Sequence, residues 1–165
     1  MTNKSQIIVK EATLDDLKAV QDLSHQLFEH DVPFEPALNM NWSYEESGRK
    51  FFVNAISDDD KCCFVAFNDE EIVGYLAGSV KPGQDYEKGT VAELDNTLVL
   101  DEYRGLGVGR KLFDEFKIWA KSKKVDRLYV SAYFDNSDAV AFYHAVGFKN
   151  YGWSLKMEVN NDEES

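Results

Sequence analysis

Three glycines at alternate positions, Gly105, Gly107 and Gly109, lie between a predicted strand and a predicted helix. Because they lack Cβ atoms, successive main-chain N–H groups can turn toward one anion, and the start of the helix adds about half a positive charge there. The spacing therefore indicates a site for an anionic group such as a phosphate. On the glycines alone, a tight strand–helix connection without a ligand explains the pattern equally well.

Two common nucleotide-binding motifs do not fit this turn. A P-loop requires Gly-Lys-Ser/Thr, but Gly109 is followed by Arg110, Lys111 and Leu112, so the hydroxyl that would bind magnesium is missing. A dinucleotide fingerprint beginning at Gly105 would need its third glycine where Arg110 stands. An anion bound here belongs to another class of phosphate ligand.

Charge is spread unevenly along the 165 residues. Thirty acidic and 18 basic residues give a net charge of −12, which disfavours nucleic acid and anionic membranes as partners. Residues 104–127, which include the glycine turn, instead hold eight basic and three acidic residues. On charge alone this is typical of a solvated helix face, but beside the glycine turn it also fits an anion site.

A second pattern follows the glycine turn by about one β-α-β unit. The turn has the form Arg104-x-x-Gly107-x-Gly109, and the later pattern is Asn136-x-x-Ala139-x-x-x-Tyr143-x-x-x-Gly147-Phe148. In this order and spacing the pair resembles the motifs of the GNAT superfamily of N-acetyltransferases. The resemblance covers nearly the whole chain and is strongest from residue 93 to residue 148.

The resemblance implies that acetyl-CoA is the co-substrate and that no metal is needed. In that family the amides of the turn hold the pyrophosphate of coenzyme A. At the matching positions here are Arg104, Gly105, Leu106, Gly107, Val108, Gly109 and Arg110. The pantetheine arm would pair with the main chain of Leu98, Val99 and Leu100, the N–H of Val99 would polarise the thioester carbonyl, and Asn136 is also assigned to the cofactor site.

The same resemblance suggests catalytic groups. Tyr143 matches the tyrosine that protonates the leaving thiolate, and its alternative is a packing role beside Phe142. Glu93 falls where some members carry a general base, with Asp95 as its rival and a water chain as a third alternative. Strict alternation along the predicted strand 90–100 would place Glu93, Asp95, Thr97 and Val99 on one face, and Ala92, Leu94, Asn96, Leu98 and Leu100 on the other.

The expected activity is transfer of an acetyl group to a primary amine by direct attack in a ternary complex. A small cationic amine, a polyamine, a lysine side chain and an N-terminal amine are all candidate acceptors. The alternative is a coenzyme-A-binding sensor or interaction module without chemistry. Residues 34–42 contain large apolar groups and are expected to form either a lid over the amine site or a plug in the core. A homodimer is an expectation from the family.

The predicted elements form an α/β fold in which a mixed, mostly antiparallel sheet with a splayed parallel strand pair is flanked by helices. One domain is expected over residues 1–159, followed by an acidic tail at 160–165 with no apolar residue to bury. A helix capped by Thr13 and another beginning with a Ser43/Glu46 capping box precede the main strands. The predicted strands are 7–10, 62–67, 72–81, 90–100 and 127–134, with one or two more in 148–159, and the later helices are 107–124 and 137–146.

Other features indicate a cytoplasmic protein. The longest apolar run, residues 62–67, is far shorter than the ~20 residues of a membrane span, and the chain opens with polar residues. Cys62 and Cys63 are neighbours, so on a strand they point to opposite faces and are expected to be small buried hydrophobic residues. The three histidines share no metal-ligand spacing.

Overall fold

The protein is described here by a computed structural model over residues 6–160. Five strands form one sheet in chain order. They are β1 (Ile7–Glu11), β2 (Lys61–Asn68), β3 (Glu71–Val80), β4 (Val91–Val99) and β5 (Arg127–Val130). Neighbouring strands are antiparallel except β4 and β5, which are parallel. The predicted fold class is confirmed.

Four helices cover the two faces of the sheet. They are α1 (Leu17–Asp31), α2 (Glu46–Ser57), α3 (Val108–Ser122) and α4 (Ser137–Val146). α1 and α2 bury their apolar residues in one core cluster with Val65 and Tyr75, and α3 buries its own in a second cluster with Phe64 and Leu76. Since β2 is covered on both faces, residues 62–66 are buried without alternation, which explains the apolar run.

Helix ends follow the local sequence in two cases. Before α1, the Thr13 N–H donates to Asp16 Oδ2 (2.9 Å) in a capping box at a short 3₁₀ turn (Leu14–Asp16). α4 begins after Asn136, whose Oδ1 accepts from the Ala139 N–H (3.2 Å), and it ends at Gly147, which has φ 117°. The predicted bounds of α4 are confirmed.

Three predictions about elements are wrong. β5 ends at Val130 instead of residue 134, and residues 148–160 form no strand. Ser43 does not cap α2, because its hydroxyl is buried and donates to Ser24 Oγ (2.8 Å), and Glu45 stands at the N-cap. The apolar alternation of residues 131–134 and 148–160 finds no neighbouring strand in the described part of the chain, whereas Ser43 is bound by a tertiary partner instead of by the start of α2. The boundaries of β1 to β4 and of α3 differ from the predictions by one or two residues. The helix predicted to follow Thr13 begins as the 3₁₀ turn, and α1 itself starts three residues later, at Leu17.

A β-bulge at Asp95 overturns the predicted faces of β4. Gly78 pairs with Leu94 and Ala77 pairs with Asn96, so Asp95 is the extra residue between them. The bulge reverses the alternation beyond it. Leu98 therefore packs with Tyr75 in the α1/α2 cluster, whereas Leu94 lies in the α3 cluster. Thr97 and Val99 pair with Leu76 and Gly74 on the α3 side, away from Glu93.

The adjacent cysteines behave as predicted. Cys62 and Cys63 are free, buried and members of opposite core clusters. Burial raises the pKa of both thiols, that of Cys63 to about 12, so neither is a ready nucleophile at neutral pH. None of the helices formed by residues 6–160 is long and apolar enough to cross a bilayer. The predicted acidic tail falls outside the described residues beyond position 160.

Candidate active site

The glycine turn takes a conformation that requires glycine. Gly105 and Gly107 have φ of 74° and 82°, and a Cβ at either position would meet no atom within 4 Å. The turn is therefore left-handed and open to solvent. Gly109 has a different role, because a Cβ there would lie 3.1 Å from the ring of Phe142, where α3 packs against α4. A compact ligand can approach the main chain at 105 and 107.

A run of free main-chain donors follows from this shape. Arg104 N–H donates to the Asp101 carbonyl and Lys111 N–H to the Gly107 carbonyl. Within the described residues, no main-chain acceptor is bonded to the N–H groups of residues 105–110, between these two bonds. α3 begins inside this run, so its positive N-terminal end points to the same place. These donors suit the oxygens of a phosphate or pyrophosphate.

The two arginines of the motif are already engaged by protein groups. Arg104 donates from Nε to the Val99 carbonyl (3.1 Å) and lies 3.2 Å from Asp101. Arg110 donates from Nη2 to the carbonyl of Ala145 at the end of α4 (2.8 Å). Their side chains thus brace the turn against β4 and α4, and the main chain carries the free donors.

A gap opens between β4 and β5 next to the turn. The two strands pair only over Val91–Leu94 and Arg127–Val130, while β4 continues to Val99. The Leu100 N–H donates to the Val73 carbonyl (2.9 Å) on the β3 side. Because main-chain groups alternate in direction along a strand, the N–H of Val99 faces the gap and those of Leu98 and Leu100 face β3. The predicted parallel strand pair that splays apart is therefore β4 and β5.

Tyr143 lies on α4 between Phe142 and Phe148, with ring centroids 5.5 and 5.9 Å away. Burial raises the pKa of its hydroxyl to about 12, and the carboxylate of Asp31 at the end of α1 adds to the rise. The hydroxyl therefore stays protonated throughout the physiological range. It is a protonated hydroxyl on α4, packed among aromatic rings.

Glu93 and Asp95 both lie near Lys81 on the α1/α2 side. Asp95 accepts from Ser79 Oγ (2.7 Å) and from Lys81 Nζ (3.0 Å), and 15% of its side chain is exposed. Glu93 lies 3.5 Å from the same ammonium and is 33% exposed. Asp95 is thus held by two donors, and Glu93 is the more accessible carboxylate.

Two carboxylates that sequence reasoning did not single out lie near an aromatic pair. Phe34 stacks on Tyr133, with ring centroids 6.2 Å apart. Burial raises the pKa of Tyr133, and the carboxylates of Asp31 and Glu35 raise it further. We call Asp31, Phe34, Glu35 and Tyr133 the acidic rim. The sequence signals for it were the large apolar groups of residues 34–42 and Tyr133 as a possible wall residue of the acceptor site.

The stretch 34–42 therefore divides in two. Its later part is core, since Trp42 stacks on Phe28 (5.6 Å) and lies against Phe51 and Phe52. Its first part, Phe34 and Glu35, belongs to the acidic rim.

Asn136 was assigned to the cofactor site, but its side-chain carbonyl accepts the hydrogen bond that caps α4. No group of three or more His, Cys, Asp or Glu residues between positions 6 and 160 is arranged to hold a metal ion.

Tyrosine ionisation tests the position of Tyr143. We expect Tyr143→Phe to remove a tyrosine that titrates near pH 12, measured by the absorbance of tyrosinate. The control Tyr86→Phe, at a site 83% exposed, should leave the late step of Tyr143 in place. Because the folded pKa is raised, the stability that Tyr143 contributes is complete below pH ~10 and falls between pH ~10 and ~12. Loss of an early-titrating group from Tyr143→Phe would contradict this position.

Comparison with known proteins agrees with this fold. The family model "Acetyltransferase (GNAT) family" matches residues 19–148, so the chain belongs to that family. An N-alpha-acetyltransferase of Sulfurisphaera tokodaii is 30% identical over 108 residues, which are 60% of this chain and 63% of the relative. The chain spans between about a third and two thirds of the length of the curated relatives it matches.

Solved structures share the architecture along nearly the whole chain. A transcriptional regulator from Bacillus halodurans superposes with a TM-score of 0.74 at 25% identity, over 93% of this chain and 100% of the other. The aminoglycoside N-acetyltransferase AAC(6')-Iy in complex with CoA also gives 0.74, at 16% identity, over 96% and 98% of the two chains. At that identity the second likeness concerns the fold alone.

Proposed function

We propose that the protein is an N-acetyltransferase that transfers an acetyl group from acetyl-CoA to a primary amine by direct attack in a ternary complex. The observation that carries the proposal is the run of free N–H groups at residues 105–110, which opens beside the gap between β4 and β5. Membership in the GNAT family and its N-alpha-acetyltransferase relative support the same reaction.

The turn would bind the pyrophosphate of acetyl-CoA through its main chain. Donors at residues 105–110 are charge-neutral and fixed in direction, and the end of α3 supplies positive potential. The pantetheine arm would lie in the gap along β4, where only one of the three predicted residues, Val99, presents its N–H. A hydrogen bond from Val99 to the thioester carbonyl would stabilise the oxyanion that forms on attack.

Acetyl transfer then needs two proton movements. The neutral amine attacks the thioester carbon, a C–N bond forms, and the C–S bond breaks. The hydroxyl of Tyr143 would give its proton to the departing sulfur, producing free CoA thiol, and the amine would lose one proton to a base. Because its pKa is about 12, the hydroxyl of Tyr143 is protonated at the start of every turnover near neutral pH.

We assign the base to Glu93 rather than to Asp95. Its carboxylate is more exposed and has one cationic neighbour, whereas Asp95 is engaged by Ser79 and Lys81 together. We assign Asp95 to holding Lys81 in place. Glu93 would take the proton of an incoming ammonium directly or through water.

The acceptor that best fits the acidic rim is a primary amine with further positive charge. Asp31, which lies 3.1 Å from His30 Nδ1, supplies negative potential, whereas the carboxylate of Glu35 is paired with Lys156 Nζ at 3.0 Å. The rings of Phe34 and Tyr133 offer faces that attract cations. A polyamine, an aminoglycoside-like amine, a lysine side chain in a basic peptide or a basic N-terminus has this chemistry. Uncharged amines lack the long-range attraction.

Neutralising the rim should weaken binding of cationic acceptors. We expect Asp31→Asn to raise KM for a polyamine roughly three- to tenfold, since one nearby charge contributes on the order of 1 kcal/mol at a wet surface. The effect should shrink as salt is added, and KM for acetyl-CoA should change little. Asp114→Asn, at an exposed site on α3, is the matched control. Equal KM values for Asp31→Asn and wild type at low salt would refute a cationic acceptor at the rim.

The alternative function is a coenzyme-A-binding sensor or interaction module without chemistry. Release of CoA thiol from acetyl-CoA across a panel of amines separates the two. Saturable release with at least one amine supports the enzyme. Tight binding of acetyl-CoA with no release above buffer, for any amine of the panel, supports the module. Tyr143 favours the enzyme, because a binding module has no use for a protonated group at that place.

A further inference from the structure

The side-chain amide of Asn96 on β4 makes no hydrogen bond within the described part of the chain. Its Oδ1 is buried and has no donor there. A buried carbonyl oxygen without a donor is unfavourable, because it has given up its hydrogen bonds to water and has gained none in the protein. A ligand that brings a donor to Asn96 would remove this cost.

Asn96 is also within reach of a ligand. The other buried side-chain atom without a partner, among residues 6–160, is the hydroxyl oxygen of Tyr75, which lies fully buried in the α1/α2 cluster. The side chain of Asn96 is only half-buried. Because no hydrogen bond holds its amide, a half-turn about the last side-chain bond exchanges Oδ1 and Nδ2 and turns the oxygen outward.

The β-bulge decides which side of the sheet Asn96 faces. Strict alternation would place its side chain on the α3 side together with Leu94. Since Asp95 is the extra residue, Asn96 instead lies opposite Ala77, which belongs to the α1/α2 cluster. Glu93 lies on the same side. The bulge therefore brings the amide to the side of the sheet that carries the proposed base.

Along β4, Asn96 lies between the groups proposed to act on the amine and on the thioester. It is three residues after Glu93 and three before Val99. β5 pairs with β4 only as far as Leu94, so Asn96 belongs to the part of β4 that borders the gap. α1 packs on this side of β4 and ends at Asp31 of the acidic rim. An amine that moves from the rim to the thioester passes the amide of Asn96.

We propose that Asn96 selects primary amines as acceptors by accepting a hydrogen bond from the amine nitrogen. This inference deepens the proposed function and rests on it. When the lone pair of a neutral primary amine attacks the thioester carbon, the nitrogen carries two protons. One proton leaves to the base, and the other donates to Asn96 and remains as the N–H of the product amide.

A secondary amine cannot satisfy both groups. Its neutral form carries a single N–H, and that proton must leave to the base as the C–N bond forms and the C–S bond breaks. The oxygen of Asn96 then stays unpaired. A site that is built to receive an N–H discriminates against a ligand without it, because the polar group of the site is left without a partner.

Rates with a matched pair of amines test the selection. The pair is diaminobutane and its N,N′-dimethyl derivative, whose nitrogens are all secondary. We expect Asn96→Leu to lower kcat/KM for diaminobutane roughly five- to tenfold, the effect of one hydrogen bond, and to change kcat/KM for the dimethyl derivative less than about twofold. The loss should persist at high salt, because Asn96 is uncharged. Asn54→Leu, the same change at a half-buried site on α2, is the control and should leave both rates unchanged.

The melting temperature separates a contact with the amine from a structural role. Leucine is close to asparagine in size and has no polar atom, so Asn96→Leu removes the unpaired oxygen. We expect its Tm to equal or exceed that of the wild type by a few degrees while the rate with diaminobutane falls. A fall of several degrees would show that the oxygen is hydrogen-bonded in the folded chain, and it would overturn the proposal. Asn96→Ala removes the same carbonyl with less volume and should repeat the pattern of rates if Asn96→Leu does not fold.

The rates also distinguish this inference from the proposed function. A wild-type chain that releases no thiol with either amine, or with any other amine of the panel, contradicts acetyl transfer itself. If the wild type is active, equal preference for the two amines overturns the role of Asn96 alone. Equal losses with both amines in Asn96→Leu, or no loss with diaminobutane, would do the same.

Discussion

Tyr143→Phe is expected to lower kcat by about 10²–10⁴-fold while KM for acetyl-CoA changes little, because general acids contribute that much to rate. The substitution removes one hydroxyl and keeps the ring that packs with Phe142 and Phe148. What is lost is the proton for the leaving thiolate. Steady-state thiol release at saturating amine measures the effect.

A matched control is available in Tyr44, whose hydroxyl donates to Asp22 (2.7 Å) and whose pKa is also raised to about 12 by burial and that carboxylate. Tyr44→Phe should keep kcat within about twofold, since exposed single substitutions remote from the site have small effects. Full activity of Tyr143→Phe would return Tyr143 to a packing role and assign the acid to solvent or another group.

Glu93→Gln separates the base from the acid. Most of the amine is ammonium at pH 7, so this variant should lose most rate at low pH and recover as rising pH supplies neutral amine. Tyr143→Phe should not recover in the same way. An identical pH response in the two variants would refute the division of roles.

The second large effect is expected at the turn. Gly107→Asp should raise the Kd for coenzyme A on the order of 100-fold or more, measured by calorimetry, since juxtaposed like charges cost several kcal/mol. The position has open space for a Cβ, so the folded state should persist. The new carboxylate would lie where the pyrophosphate is expected.

Gly107→Asn is the control for shape, because it has nearly the same size and the same strained φ without the charge. We expect it to lose distinctly less affinity than Gly107→Asp. Far-UV circular dichroism and the Tm of each variant verify folding. An unchanged Kd for Gly107→Asp would refute the turn as the phosphate site.

The sequence predicted correctly those features whose conformation depends on residues close by in the chain. The bounds of α4 followed from Asn136 and Gly147, and the open turn followed from glycines whose left-handed φ permits few other residues. The motif at residues 104–109 and Tyr143 came from the family resemblance. Both lie in segments whose conformation is set by neighbours in the chain.

Features that depend on distant partners were missed. No residue type around Asp95 indicates the bulge in the sequence. The bulge is visible only in the pairing of β4 with β3, where the register shifts between Ala77 and Gly78. Ser43 has a capping pattern, but the buried hydroxyl of Ser24 competes for it. The acidic rim joins the end of α1 to residues about 100 positions later, and the sequence does not fix that contact.

The central claim is amine acetylation by direct transfer, and initial velocities with both substrates varied test it most directly. The initial rate of thiol release is measured as the acetyl-CoA concentration is varied at several fixed concentrations of a polyamine. The mass of the acceptor is then determined by mass spectrometry. The account predicts saturation in both substrates, double-reciprocal lines that intersect, and an acceptor heavier by one acetyl group. Parallel lines, or thiol release without an acetylated amine, would contradict it.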